Sequence, residues 1–150
     1  MSPDYGRLAN DLERTVASAP NRQAAMEHAV AALKAAIPHY SWVGIYLMDG
    51  DELVLGPFLG KPSPHTRIPL NRGICGAAAS QKTTIIVDDV NSDPRYLACS
   101  LETKSEIVVP IMRGPTVLGE IDIDSDQPAA FGAADRTLLE AVARAISVKI

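Results

Sequence analysis

The sequence predicts an α+β fold, in which helices at both ends of the chain flank a central antiparallel sheet. The length of 150 residues suits one domain, and the 47% hydrophobic and 21% charged residues are typical of globular proteins. The spacing of apolar residues is helical at both ends and alternating between them. Short turns join neighbouring strands, which favours antiparallel pairing. No repeat or linker interrupts the pattern, so a single domain over residues 1–150 is expected.

Three helices follow from apolar stripes with spacings of three and four residues. Their members are Leu8, Leu12 and Val16 in the first helix, Met26, Val30, Leu33 and Ile37 in the second, and Leu138, Leu139, Val142, Ile146 and Ile150 in the last. Pro20 and Pro38 each follow an N-terminal stripe, and proline cannot continue a helix. The sequence therefore predicts two helices before the sheet and one after it.

The strands are predicted from alternating or β-branched runs between turn residues. They comprise 42–47, 52–55, 83–87, 106–112 and 117–124, with hairpin turns after the first and the fourth. Four prolines in 56–69 predict a long irregular loop there. The alanine-rich run that ends at Gln81 predicts a short helix, and residues 88–105 form a polar segment.

Charge and composition exclude several classes of function. The 14 basic and 18 acidic residues give a net charge of −4 and form no basic block, which argues against nucleic acid as a partner. No apolar run approaches the ~18–20 residues that cross a bilayer, and the N-terminus lacks the pattern of a signal peptide. Two cysteines are too few to crosslink a secreted scaffold. We therefore expect a cytoplasmic protein without a membrane partner.

A row of acidic side chains follows one face of the strand 117–124. Leu118, Glu120, Asp122 and Asp124 share that face, and Val117, Gly119, Ile121 and Ile123 share the other. Periodicity alone favours a solvated outer face. Trp42 and Tyr46 also share a strand face, either in a second small core or, beside the carboxylates, in a pocket for a cationic or zwitterionic ligand.

The two cysteines, Cys75 and Cys99, show no metal-binding spacing, and the three histidines are scattered. We therefore predict no metal. Single cysteines are usually small buried hydrophobes. Cys75, however, lies between glycines at a predicted helix N-terminus, where backbone N–H groups stabilise a thiolate, and Cys99 lies in a polar segment. These positions favour redox chemistry over packing.

Several linked motifs occur in one order along the chain. They are Trp-Val-Gly-Ile-Tyr-Leu at 42–47, Leu-Gly-Pro-Phe-Leu-Gly-Lys at 55–61, Thr-Arg-Ile-Pro at 66–69, Arg-Gly-Ile-Cys-Gly at 72–76, Ser-Glu-Ile-Val-Val-Pro at 105–110 and Asp-Ile-Asp-Ser at 122–125. This set resembles the GAF-domain free methionine-(R)-sulfoxide reductases. The resemblance implies a GAF-like domain whose N- and C-terminal helices pack on one side of the sheet and whose loops form a pocket on the other.

The resemblance also implies roles for individual residues. Cys99 matches the catalytic cysteine of the family, and Cys75 matches the cysteine of its Gly-hydrophobic-Cys-Gly motif. The matching pocket residues are Trp42, Tyr46, Glu106, Asp122 and Asp124, of which Glu106 and Asp124 are also candidate catalytic acids. Many members carry a third cysteine where this chain has His65. Cys75 is then the one internal candidate for a disulfide with Cys99.

The activity implied by the resemblance is reduction of free L-methionine-(R)-sulfoxide to L-methionine. It would proceed through a cysteine sulfenic acid and an intramolecular disulfide that a thioredoxin-type protein recycles, with no cofactor. Crowded carboxylates repel one another, so at least one should keep its proton and could act as the acid. A homodimer formed through the N-terminal helices is also implied. The alternatives are a non-catalytic GAF sensor that binds a small ligand and a Cys75/Cys99 redox switch.

The shared pocket requires an irregular strand pairing. A two-residue hairpin loop pairs Arg113 with Thr116, and regular pairing then places Glu106 opposite Ile123. Directly opposed residues share a face, so Glu106 would lie away from the aspartates of the next strand. All three carboxylates can line one pocket only if an extra residue shifts the register. We predict a bulge or a break in pairing at or near Pro110, because proline lacks the N–H of a ladder bond.

Overall fold

A computed structural model describes residues 3–97 and 102–150. In chain order the elements are α1 Tyr5–Ser18, α2 Arg22–Ala36, β1 Trp42–Asp49, β2 Glu52–Leu59, β3 Arg67–Pro69, α3 Gly73–Gln81, β4 Ile85–Val87, a 3₁₀ turn Val90–Ser92, β5 Ser105–Arg113, β6 Thr116–Ser125 and α4 Ala133–Ser147. The strands form a six-stranded sheet in the order β3-β2-β1-β6-β5-β4. All its described pairings are antiparallel, so the predicted α+β class is confirmed.

Helices α1, α2 and α4 cover one face of the sheet and enclose the main apolar core. From the strands this core receives Val43, Ile45, Ile107, Val109, Ile121 and Ile123, each at most 1% exposed. Full burial of such a side chain contributes about 1.5–3 kcal/mol. Asp4 and Asn21 cap α1 and α2 by accepting hydrogen bonds from the backbone N–H groups of Arg7 and Ala24. No helix within the described ranges is long and apolar enough to cross a bilayer.

Helix α3 and the connecting loops cover the opposite face, where they form a second and smaller apolar cluster with the strands. Its buried members include Trp42, Tyr46, Leu53, Ile68, Ile74, Cys75 and Val108. The alternation of β1 is therefore as predicted, with Val43 and Ile45 toward α1, α2 and α4, and Trp42 and Tyr46 toward α3. We call the two sides of the sheet the helix-covered face and the α3 face.

The irregular loop predicted for 56–69 is largely wrong. Strand β2 continues through Gly56 and Pro57 to Leu59, and β3 pairs with its first half. Both residues lie opposite Ile45, where the β1–β2 register shifts. Proline is tolerated at such a bulge because the ladder bond is already missing. Only residues 60–66 remain outside the strands.

The register shift predicted between β5 and β6 is present. Met112 pairs with Val117 as the hairpin requires, but Ile111 pairs with Gly119, so Leu118 is the extra residue. The bulge reverses the alternation of β6: Val117 packs into the α3 face and Leu118 packs toward the helix-covered face. The faces predicted for these two side chains were therefore wrong.

The shift produces the predicted result for Glu106, which lies directly opposite Asp124. The predicted location of the bulge is wrong, because the extra residue is in β6 and Pro110 pairs regularly with Glu120. Strand β4 begins at Ile85 opposite Val108, so among the described residues no strand pairs with β5 on that side at Pro110. A proline can occupy such a position without losing a ladder bond.

Candidate active site

Four carboxyl groups lie buried together on the α3 face. Glu106 is 5% exposed, Glu120 is 0% exposed, and Asp122 and Asp124 are 3% exposed each. The solvated outer face favoured by periodicity is therefore wrong, because α3 packs against both β5 and β6 and covers it. Burying a charged carboxylate is costly unless it finds a partner, so this cluster is a specialised feature of the fold.

Strand register brings the predicted pocket residues together. Asp124 of β6 lies between Glu106 on β5 and Trp42 on β1, and Asp122 lies opposite Gly44. The Trp42 ring lies over Gly44, where a Cβ would come within 2.2 Å of Trp42 Cη2. Glycine at this position therefore leaves room for the indole to lie over its own strand, beside the carboxylates.

The cluster holds protons more tightly than isolated carboxyl groups do. Burial raises the pKa of Glu106 well above its usual range, and the charges of Asp122 and Asp124 raise it further. Hydrogen bonds with these two aspartates also favour the protonated Glu106, whereas they lower the pKa of each aspartate against a larger increase from burial. These hydrogen bonds therefore favour the proton on Glu106 over Asp122 and Asp124.

Several oxygens of the cluster have no hydrogen-bond partner among the described residues. They are both carboxyl oxygens of Glu120 and Oδ1 of Asp122 and Asp124. A buried acceptor without a donor costs about 1–3 kcal/mol, so such groups are usually satisfied by water or a ligand. The site is therefore suited to a ligand that brings several donors, such as an ammonium group.

Cys75 belongs to this cluster instead of being an exposed thiolate. It is the third residue of α3, is 6% exposed and packs in the second apolar cluster. Burial raises the pKa of its thiol well above the usual range, and the charges of Asp122, Glu120 and Glu106 raise it further. The thiolate expected at this helix N-terminus is therefore wrong, because burial and nearby negative charge outweigh the backbone N–H groups.

Cys99 and the proposed Cys75–Cys99 disulfide lie outside the described residues. The chain on the near side of this gap packs close to Cys75: a Cβ at Gly73, where φ is +71°, would come within 3.0 Å of Leu97 Cδ1. Leu97 precedes Cys99 by two residues in sequence. It contacts Gly73, the first residue of α3, which precedes Cys75 by two residues. Glycine is suited to this conformation and this close approach.

Trp42 and Tyr46 hold the 60–66 loop over the α3 face. Trp42 Nε1 donates a hydrogen bond to the Lys61 carbonyl at 2.9 Å, and the Tyr46 hydroxyl donates to the His65 carbonyl at 2.8 Å. The indole also stacks on Phe58, with ring centroids 5.6 Å apart. The second small core is therefore confirmed, whereas the ligand pocket stays a prediction, although Trp42 and Tyr46 lie opposite Asp124 and Glu120 of β6.

A cavity of about 70 Å³ lies beside Asp124, at the edge of the carboxylate cluster. It is lined by Ser41, Trp42, Lys61, Pro62, Thr103, Asp124 and Asp126. Ser41, Lys61 and Thr103 were not singled out from the sequence, because nothing in their local pattern distinguishes them from ordinary loop residues. Pockets for small ligands usually measure about 300–1,000 Å³, so a ligand here requires the surrounding loops to shift.

Comparisons with known proteins agree with this geometry. A sequence model of the GAF domain matches residues 21–150. Free methionine-R-sulfoxide reductase from Saccharomyces cerevisiae is 40% identical over 147 residues, which cover 95% of this chain and 79% of that protein. The structure of free methionine-R-sulfoxide reductase from Neisseria meningitidis in complex with its substrate superposes with a TM-score of 0.91 at 37% identity, covering 97% of this chain and 87% of that one.

A second similar structure, from Burkholderia vietnamiensis, is named a GAF sensor protein. It has a TM-score of 0.90 and 38% identity, and the match covers 97% of this chain and 92% of that one. From these matches, the chain belongs to the GAF domain family and, within it, to the free methionine-R-sulfoxide reductases.

Proposed function

We propose that this protein reduces free L-methionine-(R)-sulfoxide to L-methionine, with Cys99 as the nucleophile and Cys75 as the resolving cysteine. The observation that carries the proposal is the buried group of Glu106, Asp122 and Asp124 beside Trp42, with carboxyl oxygens that lack donors. The yeast and Neisseria relatives named as reductases of this substrate support it.

Recognition would depend on the substrate being a free amino acid. Its ammonium group brings three donors, which suit the unpartnered Oδ1 atoms of Asp122 and Asp124. Trp42 and Tyr46 would line the wall around the methylene and methyl groups. A methionine sulfoxide inside a peptide has no ammonium group and would leave these oxygens unpaired, at a cost of about 1–3 kcal/mol each. Because the cavity is small, entry requires displacement of the 60–66 loop that Trp42 and Tyr46 hold.

The first chemical step would transfer the sulfoxide oxygen to Cys99. The Cys99 thiolate attacks the sulfoxide sulfur while an acid protonates the sulfoxide oxygen, and the resulting hydroxyl group then moves to the Cys99 sulfur as the new sulfur–sulfur bond breaks. Glu106 fits the role of acid because burial and the neighbouring aspartates keep it protonated. The products are methionine and the Cys99 sulfenic acid.

The second step would form a disulfide. The Cys75 thiol condenses with the sulfenic acid of Cys99 and releases water, and an external dithiol such as thioredoxin then reduces the bond by exchange. The protonated, buried state of Cys75 suits a residue that reacts second. The contact between Gly73 and Leu97 supports its assignment as the partner of Cys99. No bound cofactor enters this scheme.

The proposal extends to the domain organisation, the location in the cell and the partners of the protein. We infer that residues 1–150 form a single GAF domain that acts in the cytoplasm, with methionine-(R)-sulfoxide as substrate and a thioredoxin-type protein as reductant. We also infer that two copies of the chain form a homodimer through their N-terminal helices. Nucleic acid and membranes are not expected as partners.

A second candidate function is a sensor that binds a small ligand without turnover, which the Burkholderia relative favours. A Cys75/Cys99 redox switch is the remaining alternative. Neither would consume a reductant in proportion to the amount of sulfoxide added.

The test is a coupled assay with free methionine-(R)-sulfoxide, thioredoxin, thioredoxin reductase and NADPH. We expect NADPH consumption equal to the substrate added, and little reduction of the S epimer or of peptide-bound sulfoxide. Comparable rates on free and peptide-bound sulfoxide would contradict the role of the ammonium group. Absence of NADPH consumption, together with saturable binding of the sulfoxide, would favour the sensor.

The Cys75→Ser variant tests the resolving step separately. It should release about one methionine per chain and then stall as a sulfenic acid under the thioredoxin system, while small thiols restore turnover. Full thioredoxin-supported turnover by this variant would show that Cys75 does not resolve the intermediate.

A further inference from the structure

We propose that Cys75, Glu106 and Asp122 form a binding site for a divalent cation of the zinc type. These residues come from α3, β5 and β6, and each presents one potential ligand atom. The three atoms lie within 4.8 Å of one another, and all three side chains are buried. The sequence argued against zinc only because it lacks a motif with regular spacing, and a site assembled from three distant segments has no such motif.

Glu120 supplies an independent indication of a ligand. Its side chain is fully buried, and both of its carboxyl oxygens lack a hydrogen-bond partner among the described residues. It lies two residues before Asp122 in β6 and so shares the α3 face with it, and it is close enough to Asp122 and Cys75 for both to shift its pKa. The proposed reduction gives Glu120 no role. A cation would give these oxygens a partner and neutralise part of the negative charge.

The donor set selects the type of cation. A thiolate with carboxylate oxygens suits zinc, whereas Mg²⁺ and Ca²⁺ prefer oxygen ligands alone. In tetrahedral zinc sites a Zn–S bond of about 2.3 Å and a Zn–O bond of about 2.1 Å place sulfur and oxygen about 3.6 Å apart. Because no two of the three ligand atoms are more than 4.8 Å apart, they need to approach by at most about 1 Å, which rotation of the two carboxyl side chains can provide.

One consequence concerns the regulation of the enzyme. The proposed reduction uses Glu106, Asp122 and Cys75, so a bound cation and the sulfoxide should exclude each other. This consequence rests on the proposed function, whereas binding of the cation does not.

The experiment uses Cys99→Ser, in which Cys75 is the only thiol, since the chain has two cysteines. The reduced protein is titrated with Cd²⁺, a spectroscopic substitute for zinc, and the ultraviolet charge-transfer band between thiolate and cadmium is recorded. We expect one Cd²⁺ per chain, displacement by Zn²⁺ and no displacement by Mg²⁺. Absence of the band at saturating Cd²⁺ would overturn the site.

Ligand variants in the same Cys99→Ser background identify the carboxylates. Glu106→Gln and Asp122→Asn should each weaken Cd²⁺ binding at least about tenfold, which is the scale of losing one interaction at a metal site. Asp51→Asn, at an exposed acid in the β1–β2 turn, is the matched control and should bind as the parent does. Equal affinity in all these variants would contradict the assignment.

A second readout keeps the proposal testable if a ligand variant fails to fold. The ¹¹³Cd chemical shift of the folded Cys99→Ser protein distinguishes one sulfur with oxygen ligands from sulfur bound in isolation or with nitrogen. We expect the mixed sulfur and oxygen environment, and any other shift overturns the site. Because no sulfoxide is present, these results do not depend on whether the protein is a reductase.

Discussion

The two faces of the sheet use the same strands for different purposes. On the helix-covered face, β5 and β6 present Ile107, Ile121 and Ile123 to a core that is almost wholly apolar. On the α3 face, the same two strands present Glu106 and Asp122 among apolar residues. Residues one apart in sequence therefore differ completely in chemistry: the helix-covered face carries the main apolar core, and the α3 face carries the proposed reactive site.

The difference has an energetic cost. Apolar burial contributes free energy to folding, whereas buried carboxyl groups must keep protons or lose hydration. The α3 face retains four of them, some with unpartnered oxygens. Binding sites commonly sacrifice local stability in this way. Variants on the helix-covered face should therefore lower stability, and variants on the α3 face should lower activity.

The largest effect is expected at Cys99. Cys99→Ser should release no methionine even in a single turnover, because a neutral hydroxyl is a poor nucleophile for sulfoxide sulfur. Methionine formation is measured by chromatography after mixing protein and substrate without reductant, with Cys75→Ser as the control that still releases about one equivalent. Stoichiometric methionine from Cys99→Ser would contradict the assignment of the nucleophile.

The second-largest effect on activity is expected at the carboxylates of the α3 face. Glu106→Gln and Asp124→Asn should each lower kcat/KM about 10²–10⁴-fold, the usual range for losing an acid catalyst, while the fold is preserved. Circular dichroism and the coupled assay measure the two properties. Asp51→Asn provides an exposed control that should leave both unchanged. Wild-type activity in both carboxylate variants would assign them a structural role.

On the helix-covered face the effect should be on stability instead. Ile121 is 1% exposed, and Ile121→Ala should lower the free energy of unfolding by about 2–5 kcal/mol through lost burial and the resulting cavity. Urea titration measures this change, and kcat/KM of the folded protein should stay within about threefold. Val148→Ala is the control, since Val148 is 82% exposed. Loss of activity without loss of stability would break the proposed division between the faces.

The smallest effect should be the pH dependence of stability that Glu120 contributes. Burial and the charge of Asp122 raise its pKa in the folded state, so the folded protein keeps a proton that the unfolded chain releases. This contribution to stability is complete below the unfolded pKa and is lost as pH rises through the folded pKa, with a slope of at most about 1.4 kcal/mol per pH unit. Glu120→Gln should remove that slope, so the variant gains stability relative to the wild type as pH rises.

Urea titrations between pH 5 and pH 9 measure this difference, with Glu13→Gln at an exposed position of α1 as the control. Identical pH profiles for Glu120→Gln and the wild type would mean that Glu120 is not protonated preferentially in the folded state.

Local sequence patterns predicted much of the fold, including the helices and the two faces of β1. They failed where a covering element decides the outcome. Alternation placed Glu120 and Asp122 on one face but could not reveal that α3 buries it, because α3 is distant in sequence. The same burial reversed the expected ionisation of Cys75. Pro57 concealed the second half of β2, since a bulge that accommodates proline has no local signal.

The candidate site depended on register as well as on pattern. Hairpin pairing alone sends Glu106 to the wrong face, and only the requirement for a shared pocket indicated a bulge. That requirement came from the family resemblance, and Glu106 does lie opposite Asp124. The bulge predicted at Pro110 is instead at Leu118 in the partner strand. The sequence of β6 has no proline that would indicate a bulge.

The central claim, that the α3 face reduces free methionine-(R)-sulfoxide with two cysteines, is tested most directly by a single turnover without an external reductant. The reduced protein is mixed with an excess of the sulfoxide, and both the methionine released and the thiols remaining are counted. We predict about one methionine per chain and the loss of both thiols to one disulfide, since each sulfoxide takes two electrons. Saturable binding of the sulfoxide with no methionine and two intact thiols would contradict the account.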